Sequence, residues 1–244
     1  MHKIGIISDI HGNDIAFKKV LELLNGNVDE IICLGDMIGI GPNSHNVLSI
    51  ASKLDNFSTV LGNHERYYLL GFDNPLSCID STHQEWVKKE IGSEFDDYIR
   101  SIPKQIVRHY NGHKLLFIHY AMRDLEIPRF QVIEKNVNYD NLVNVFRLHD
   151  FDYAFYGHEH IGSIVKGESN GKVFINPGSL GCPHPDTNKG RYGILTIGED
   201  ITYENYEFTY DPLPIIEDLK KKKTPSGEFI MKAFFHYDNY DSKI

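Results

Sequence analysis

The stretch that decides the fold is Lys3 to His11, KIGIISDIH, where a short apolar run ends at an aspartate and a histidine. The run Ile4 to Ile7 has the length and β-branched composition of a buried strand. Asp9 and His11 follow at the point where such a strand would turn into its crossover. Carboxylate and imidazole groups both bind metal ions, although in isolation the aspartate is better explained as a turn or helix-capping residue.

The same arrangement recurs four more times along the chain. The later apolar runs are Ile31 to Leu34, Val60 to Leu61, Leu115 to Ile118 and Tyr153 to Tyr156. The clusters that follow them are, in order, Gly35-Asp36, Gly62-Asn63-His64-Glu65, His119 and Gly157-His158-Glu159-His160. Open sheets with helical crossovers bind ligands outside the carboxyl ends of their strands, so we expect all five clusters to gather at one edge.

Each cluster has a simpler explanation when taken alone. Asp36 and Asn63 could be turn residues, and His119 could be a core histidine. His158 and His160, two residues apart in a glycine-containing turn, form the strongest single metal signature. Five simple explanations would have to hold together at five strand ends, so we favour one shared metal site.

The predicted site has seven candidate ligands: Asp9, His11, Asp36, Asn63, His119, His158 and His160. Seven side chains are enough for two divalent or trivalent ions, and one carboxylate can bridge both. Oxygen and nitrogen donors without thiolate suit Mn or Fe, with Zn, Ni and Mg as alternatives. Paired cations of this kind activate water and offset charge in phosphoryl transfer, so we expect a catalytic site.

Strand and helix patterns alternate in the first half of the chain and give way to a hairpin later. The predicted elements are strands at 3–8, 30–35 and 58–61, helices at about 13–24 and 44–54, and a hairpin of 192–197 with 201–208. This order favours an α/β fold with two packed sheets and helices outside. Thr82 with Glu85 reads as a capping box, and Asp211 with Pro212 reads as a helix start. We expect a single domain over residues 1–244, with a helical tail from about 211 to 244.

Composition limits the partners and the compartment. The 25 Lys and Arg residues are outnumbered by 34 Asp and Glu residues, which gives a net charge of -9 and argues against duplex nucleic acid as a partner. Cys33, Cys78 and Cys182 are odd in number and lack C-x-x-C spacing, so a reducing, cytoplasmic location is expected. Signal-peptide and membrane-spanning patterns are missing from the sequence, so we expect no membrane association.

The ordered set D-x-H, G-D, G-N-H-E, a lone histidine and G-H-x-H resembles the calcineurin-like metallophosphoesterase superfamily from Lys3 to about Ile197. The segment Asn176 to Ser179 is similar to one found in small bacterial phosphodiesterase-type members. The resemblance implies a four-layer α-β-β-α sandwich of two mixed β-sheets flanked by helices.

The resemblance also implies a role for each site residue. One ion would be held by Asp9, His11 and His160, the other by Asn63, His119 and His158, and Asp36 would bridge the two. His64 would be a catalytic residue rather than a ligand. As an imidazolium it would protonate the leaving oxygen or stabilise the transition state.

Two departures from the family pattern bear on these roles. Glu65 stands where many members have aspartate, which changes the carboxylate that would keep His64 charged. The Asp-Arg-Gly sequence of the protein phosphatase branch is replaced by Met37 to Pro42, which argues against phosphoprotein substrates. Arg191 is either a substitute substrate-binding arginine or a solvated loop residue. Cys182 has no evident activating partner and is expected to be passive.

These observations predict a dinuclear metal-dependent phosphoesterase that hydrolyses a small phosphodiester or nucleotide by in-line attack of a metal-bridging hydroxide. A phosphomonoesterase and a dinucleoside polyphosphate hydrolase are alternatives within the same chemistry. A non-catalytic scaffold on the same fold is an alternative of another class. The apolar C-terminal tail could also bury itself in a second subunit and form a homo-oligomer.

Overall fold

The computed structural model describes residues 1–72, 81–126, 129–168, 171–182 and 188–236. Its strands are β1 (His2–Ile7), β2 (Glu30–Cys33), β3 (Phe57–Thr59), β4 (Gln105–Tyr110), β5 (His113–Ile118), β6 (Met122–Asp124), β7 (Arg129–Phe130), β8 (Tyr153–Phe155), β9 (Ser163–Lys166), β10 (Val173–Asn176), β11 (Lys189–Ile197) and β12 (Ile201–Thr209). Its helices are α1 (Asp14–Leu24), α2 (Ser44–Ala51), α3 (Asn63–Leu70), α4 (Ser81–Ile91), α5 (Asp96–Ser101), α6 (Tyr139–Val145), α7 (Leu213–Lys221) and α8 (Gly227–Phe235).

The strands form two mixed five-stranded sheets and one short hairpin. The first sheet has the order β12-β11-β1-β2-β3, and the second has the order β4-β5-β8-β10-β9. Three neighbouring strands of each sheet are parallel, β1-β2-β3 at one side of the first sheet and β5-β8-β10 in the middle of the second, and the other pairings are antiparallel. Strands β6 and β7 pair separately. The predicted two-sheet α/β fold is therefore confirmed.

Three apolar clusters define the layers. The two sheets face each other through side chains such as Ile6, Phe117 and Phe155, which are fully buried. The outer face of the first sheet packs against helices through residues such as Phe17, and the outer face of the second packs against α6 through Leu142. The order of layers is helix, sheet, sheet, helix. This packing aligns the carboxyl ends of the parallel strands of both sheets.

The sequence patterns agree with most of these elements and differ at identifiable places. Asn13 caps α1, since its side chain accepts the Ala16 N–H at 3.0 Å. The β11–β12 hairpin turns at 198–200, as expected. Helix α4 begins at Ser81, so Thr82 lies in its first turn and is not its cap. Helix α3, which begins within the G-N-H-E motif, was not predicted.

The last two helices pack beside the loop that follows β2. Buried residues of α7 and α8, among them Ile216 and Met231, contact Ile40 and Cys182. The Lys222 ammonium, just after α7, donates to the Pro42 carbonyl at 2.7 Å. The end of the predicted tail, 237–244, lies outside the described residues, as does Cys78 of the three cysteines. Within the described ranges, the helices are too short or too polar to cross a membrane.

A buried histidine in the second sheet's helix layer makes stability depend on pH. His149 accepts the Met122 N–H at 3.1 Å, and burial lowers the pKa of this histidine from 6.5 to about 4. As the pH falls from about 6.5 to 4, the unfolded chain binds a proton that the folded chain rejects, so stability is lost across this window.

Glutamine at position 149 can accept the same N–H but does not titrate. Between pH 7 and 4.5 the metal-free parent should therefore lose about 2 to 3 kcal/mol more unfolding free energy than metal-free His149→Gln. Urea unfolding at both pH values measures this difference. The exposed His109→Gln variant should follow the parent. Equal pH dependence of the parent and His149→Gln would contradict the assignment.

Candidate metal centre

The seven candidate ligands converge on two adjacent groups of donor atoms. In the first group, His11 Nε2 lies 3.0 Å from His160 Nε2, and Asp9 Oδ1 lies 3.7 and 3.5 Å from these two nitrogens. In the second, His119 Nε2 lies 2.9 Å from Asn63 Oδ1 and 3.1 Å from His158 Nδ1.

Asp36 stands between the two groups. Its Oδ2 atom lies 3.8 Å from His11 Nε2 and 3.3 Å from His119 Nε2. A single carboxylate oxygen therefore faces donors of both groups. The candidate ligands from all five strand ends meet at one edge of the sandwich.

These separations fit bound cations. Ligand atoms about 2.1 Å from an ion and about 90° apart lie roughly 3 Å from one another. The ligand atoms of Asp36, His119 and His158 all lie within 4.8 Å of one another, as do those of His11, Asp36 and His64. Buried nitrogen and oxygen lone pairs that face one another in this way need a cation or protons between them. The donor chemistry therefore suits two metal ions.

Local structure aims the Asp36 carboxylate. Its Oδ1 atom accepts the His64 N–H at 2.9 Å, at the first turn of α3, which leaves Oδ2 for the donor groups. Gly62 permits this approach, because a Cβ there would collide with Asp36 Oδ1. Burial would raise the pKa of Asp36, but its interactions with His119, His64 and His11 together outweigh burial and hold this pKa below its usual range. Asp36 is therefore an anion at neutral pH.

The Glu65 carboxylate is buried beneath the loop that carries Asp36. Its Oε2 atom accepts N–H groups from Gly62 at 3.0 Å and from Asp36 at 2.9 Å. Its Oε1 atom accepts those of Met37 at 2.8 Å and Ile38 at 3.3 Å. Burial and the Asp36 charge raise the pKa of Glu65. The contacts of this carboxylate therefore hold the loop after β2 against α3. This role differs from that of keeping His64 charged, which the family resemblance suggests for a carboxylate at this position.

Replacing Glu65 should loosen the site as well as the fold. In Glu65→Gln, an NH₂ group meets backbone N–H donors, so about two hydrogen bonds are lost and the free energy of unfolding falls by about 3 kcal/mol. Urea unfolding and metal titration should both detect the change. The exposed Glu85→Gln variant is the matched control. Parent-like stability in Glu65→Gln would show that the carboxylate does not organise the loop.

Backbone carbonyls orient two of the candidate ligand rings. The Nδ1 atom of His119 lies 2.8 Å from the Leu34 carbonyl, and that of His11 lies 3.3 Å from the Ile38 carbonyl. A hydrogen bond at Nδ1 leaves Nε2 as the atom that can bind a metal. Burial opposes charge on His119, but the Asp36 and Asp9 carboxylates and the Leu34 carbonyl together outweigh burial and raise the pKa of His119 to about 9.

The His64 ring lies beside the donor groups with one nitrogen unused. Its centroid is 4.9 Å from that of His11, and its Nδ1 atom lacks a hydrogen-bond partner among the described residues, although the side chain is buried. Gly39, at φ +83°, makes room for the ring, since a Cβ at that position would collide with Nδ1. Burial lowers the pKa of His64 to about 3, so the ring is neutral.

Several candidate ligands have a strained backbone. Five of the seven have φ angles between 49° and 72°, in the left-handed region that favours glycine: Asp9, His11, Asp36, His158 and His160. Non-glycine residues adopt this conformation at a cost, and such residues concentrate at functional sites. The turns after the strands therefore orient the candidate ligand side chains, at a cost in backbone conformational energy.

Sequence reasoning missed the polar residues that support Asp9. Ser8 Oγ donates to Asp9 Oδ2 at 2.5 Å, and the His158 N–H donates to the same oxygen at 3.1 Å. Ser179 Oγ donates to the Asp9 carbonyl at 2.9 Å. The only sequence signal for these contacts was proximity: Ser8 precedes Asp9, and Ser179 lies in the noted segment 176–179.

Of the other two residues singled out in the sequence, Cys182 lies near the first donor group and Arg191 lies in β11. Cys182 Sγ lies within 4.8 Å of the ring nitrogens of His11 and His160, and burial raises the pKa of its thiol well above the ordinary value. Arg191 is mostly buried, and its Nε donates to Glu207 Oε1 at 3.0 Å. It is therefore held in an ion pair and is not a solvated loop side chain.

Comparison with known proteins establishes the family of this chain. Residues 2–200 match the model of the calcineurin-like phosphoesterase superfamily domain, and the chain belongs to this superfamily. It is accordingly a phosphoric ester hydrolase of a metal-dependent family.

An uncharacterized protein of Methanocaldococcus jannaschii is 30% identical over an alignment of 244 positions that covers 91% of this chain and 93% of the relative. A symmetrical bis(5'-nucleosyl)-tetraphosphatase of Nitrosospira multiformis is 22% identical over 71% of this chain and 63% of that protein. A metallophosphoesterase from Sphaerobacter thermophilus shares the fold, with a TM-score of 0.74 and 22% identity over 95% of this chain and 98% of its own.

Proposed function

We propose that this chain hydrolyses a small phosphodiester or nucleotide with two metal ions bound at the paired donor groups. The observation that carries the proposal is Asp36 Oδ2, which lies within 3.8 Å of His11 Nε2 and within 3.3 Å of His119 Nε2. Asp9, His11 and His160 would hold one ion, Asn63, His119 and His158 the other, and Asp36 both. When bound, the ions supply an activated water and charge that offsets the developing phosphoryl anion.

His64 is proposed to act on the phosphate rather than on the metals. Its buried ring lies beside the donor groups, with its centroid 4.9 Å from that of His11, so a ring N–H would be placed to donate a hydrogen bond to a phosphate or leaving-group oxygen. A neutral ring offers one N–H for this purpose. The negative charge of a bound phosphate would favour a second proton on the ring, and that proton could pass to the leaving oxygen.

Hydrolysis of dinucleoside polyphosphates is the second candidate. It is favoured by the Nitrosospira multiformis relative, which is named as a symmetrical tetraphosphatase. The net charge of -9 disfavours polyanions in general, so such a substrate would depend on the bound cations for its affinity.

A substrate panel with metal replacement tests these proposals. Bis-p-nitrophenyl phosphate, p-nitrophenyl phosphate and diadenosine tetraphosphate are each assayed with Mn, Fe, Zn, Ni or Mg. Fastest turnover of the diester supports the leading proposal, and fastest turnover of the tetraphosphate supports the second. A flat panel, together with no bound metal after purification in Mn, would favour a non-catalytic scaffold instead.

A further inference from the structure

A tyrosine lies beside His64 at the edge of the metal centre. The centroid of the Tyr67 ring is 5.7 Å from that of His64, and the two ring planes are 69° apart. The His64 ring is in turn 4.9 Å from that of His11 in the first donor group. Tyr67 is therefore one side chain away from the candidate ligands without being one of them, so metal binding does not explain its position.

Helix geometry gives the same position independently. Tyr67 follows Asn63 by four residues and His64 by three, so it lies one turn further along α3 and neighbours both side chains. Helical side chains lean toward the N-terminus of their helix, and Asn63 and His64 occupy the first turn of α3. The Tyr67 ring therefore leans toward the metal centre.

The Tyr67 ring is held in place and yet partly exposed. Its neighbours Arg66 and Tyr68 are buried, whereas Tyr67 keeps part of its surface accessible to solvent. The Phe72 ring packs against it at 5.1 Å between centroids, and the guanidinium carbon of Arg66 lies 5.9 Å from its centroid. An aromatic surface that is both fixed and accessible suits contact with another flat ring.

The contact with His64 assigns Tyr67 to the leaving-group side of the site. Another ring beside the donor groups, Phe130 of β7, contacts candidate ligands instead, at 5.3 Å from His119 and 6.2 Å from His158 between centroids. His64 is the residue proposed to act on the leaving oxygen. An oxygen hydrogen-bonded to His64 lies about 3 Å from a ring nitrogen, so the group attached to this oxygen begins beside Tyr67.

We propose that Tyr67 binds an aromatic ring carried by the leaving alcohol of the substrate. The inference rests on the proposed function, because it takes His64 to act on the leaving oxygen of a phosphoester. It makes Tyr67 a specificity-determining residue. When one phosphorus carries two different ester groups, the protein should release the alcohol that contains the aromatic ring.

A diester of two different alcohols tests the inference by internal competition. In hydrolysis of methyl benzyl phosphate, water adds to phosphorus and one ester P–O bond breaks, which gives either benzyl alcohol and methyl phosphate or methanol and benzyl phosphate. The Mn-loaded parent should release mainly benzyl alcohol. Tyr67→Ala should lower the ratio of benzyl alcohol to methanol about 10-fold, since contact with one aromatic ring has about this effect. Tyr67→Phe, which keeps the ring, should retain the parent ratio.

The product ratio separates contact with the ring from a merely structural role. A variant that folds less well or binds less metal releases both alcohols more slowly but in the same ratio. Tyr110→Ala is the matched control and should keep the parent's ratio and rate. Tyr110 is also partly exposed, and it pairs with His113 at the start of β5, whereas the candidate ligand His119 follows the end of that strand.

Phosphonates provide a readout without turnover, because their P–C bond is not hydrolysed. Benzylphosphonate and methylphosphonate differ only in the phenyl group. Calorimetry on the Mn-loaded parent should show tighter binding of benzylphosphonate. This preference should fall about 10-fold in Tyr67→Ala and should persist in Tyr67→Phe and Tyr110→Ala.

The outcomes separate the inference from the function on which it rests. Release of mainly methanol by the parent, or an unchanged product ratio in Tyr67→Ala, would overturn the role of Tyr67 and leave phosphoester hydrolysis standing. If the parent hydrolyses bis-p-nitrophenyl phosphate but not methyl benzyl phosphate, the phosphonates decide, and an equal preference in the parent and Tyr67→Ala overturns the inference. If the parent hydrolyses neither diester with any of the five metals, the proposed function fails, and the inference fails with it.

Discussion

Asp36→Asn will lower kcat by at least about 1,000-fold and reduce the bound metal from the proposed two ions per chain to one or fewer. The amide keeps the shape of the side chain but loses the negative charge and has only one oxygen. In the parent, Oδ1 accepts the His64 N–H and Oδ2 faces both donor groups. One amide oxygen cannot both accept the His64 N–H and face the two donor groups. We therefore expect a larger loss of kcat and bound metal than on substitution of any other single candidate ligand.

Metal content by mass spectrometry and kinetics with the diester test this expectation. The exposed Asp55→Asn variant controls for removal of a charge and should keep the parent's metal content and rate. Thermal unfolding of metal-free Asp36→Asn shows whether the chain still folds. Two tightly bound ions in a folded Asp36→Asn protein would contradict the bridging role.

His64→Ala should retain both metal ions and lower kcat by about 100- to 10,000-fold, the range usual for loss of one acid–base group. KM should change little, because the proposed hydrogen bond strengthens as charge develops in the transition state. His113→Ala, at an exposed position at the start of β5, is the matched control.

Comparison of leaving groups separates the two roles considered for His64. If the ring delivers a proton, the loss should be small for p-nitrophenyl esters and large for alkyl esters, whose leaving oxygen needs the proton. A uniform loss would indicate hydrogen bonding to the phosphate. Because the ligand atoms of His11, Asp36 and His64 lie within 4.8 Å of one another, loss of a metal ion in His64→Ala would make this histidine a ligand.

Local sequence patterns predicted the strands well, because these patterns depend only on residues that are close together in the chain. The run Ile4 to Ile7 and the hairpin around 198–200 are local signals, and both agree with the structure. The convergence of the five clusters followed from a topological rule about the carboxyl ends of parallel strands. Helix α3 was not predicted, because its first four residues, Asn63 to Arg66, are polar and are typical of a turn.

Features that depend on contacts between distant segments could not be read from the sequence. Glu65 meets Asp36 and Met37 only after β2 and α3 are packed, and its 28- and 29-residue separations leave no periodic trace. The Arg191–Glu207 pair likewise depends on the β11–β12 register.

The left-handed backbone at five candidate ligands has an evolutionary consequence. At each position glycine would relieve roughly 1 kcal/mol of strain, so selection for stability alone would favour glycine there. The presence of aspartate and histidine at these turns therefore implies a benefit that exceeds this gain. A descendant that gave up hydrolysis would be free to drift toward glycine at these turns, and its metal-free form would then unfold at a higher temperature than the metal-free parent.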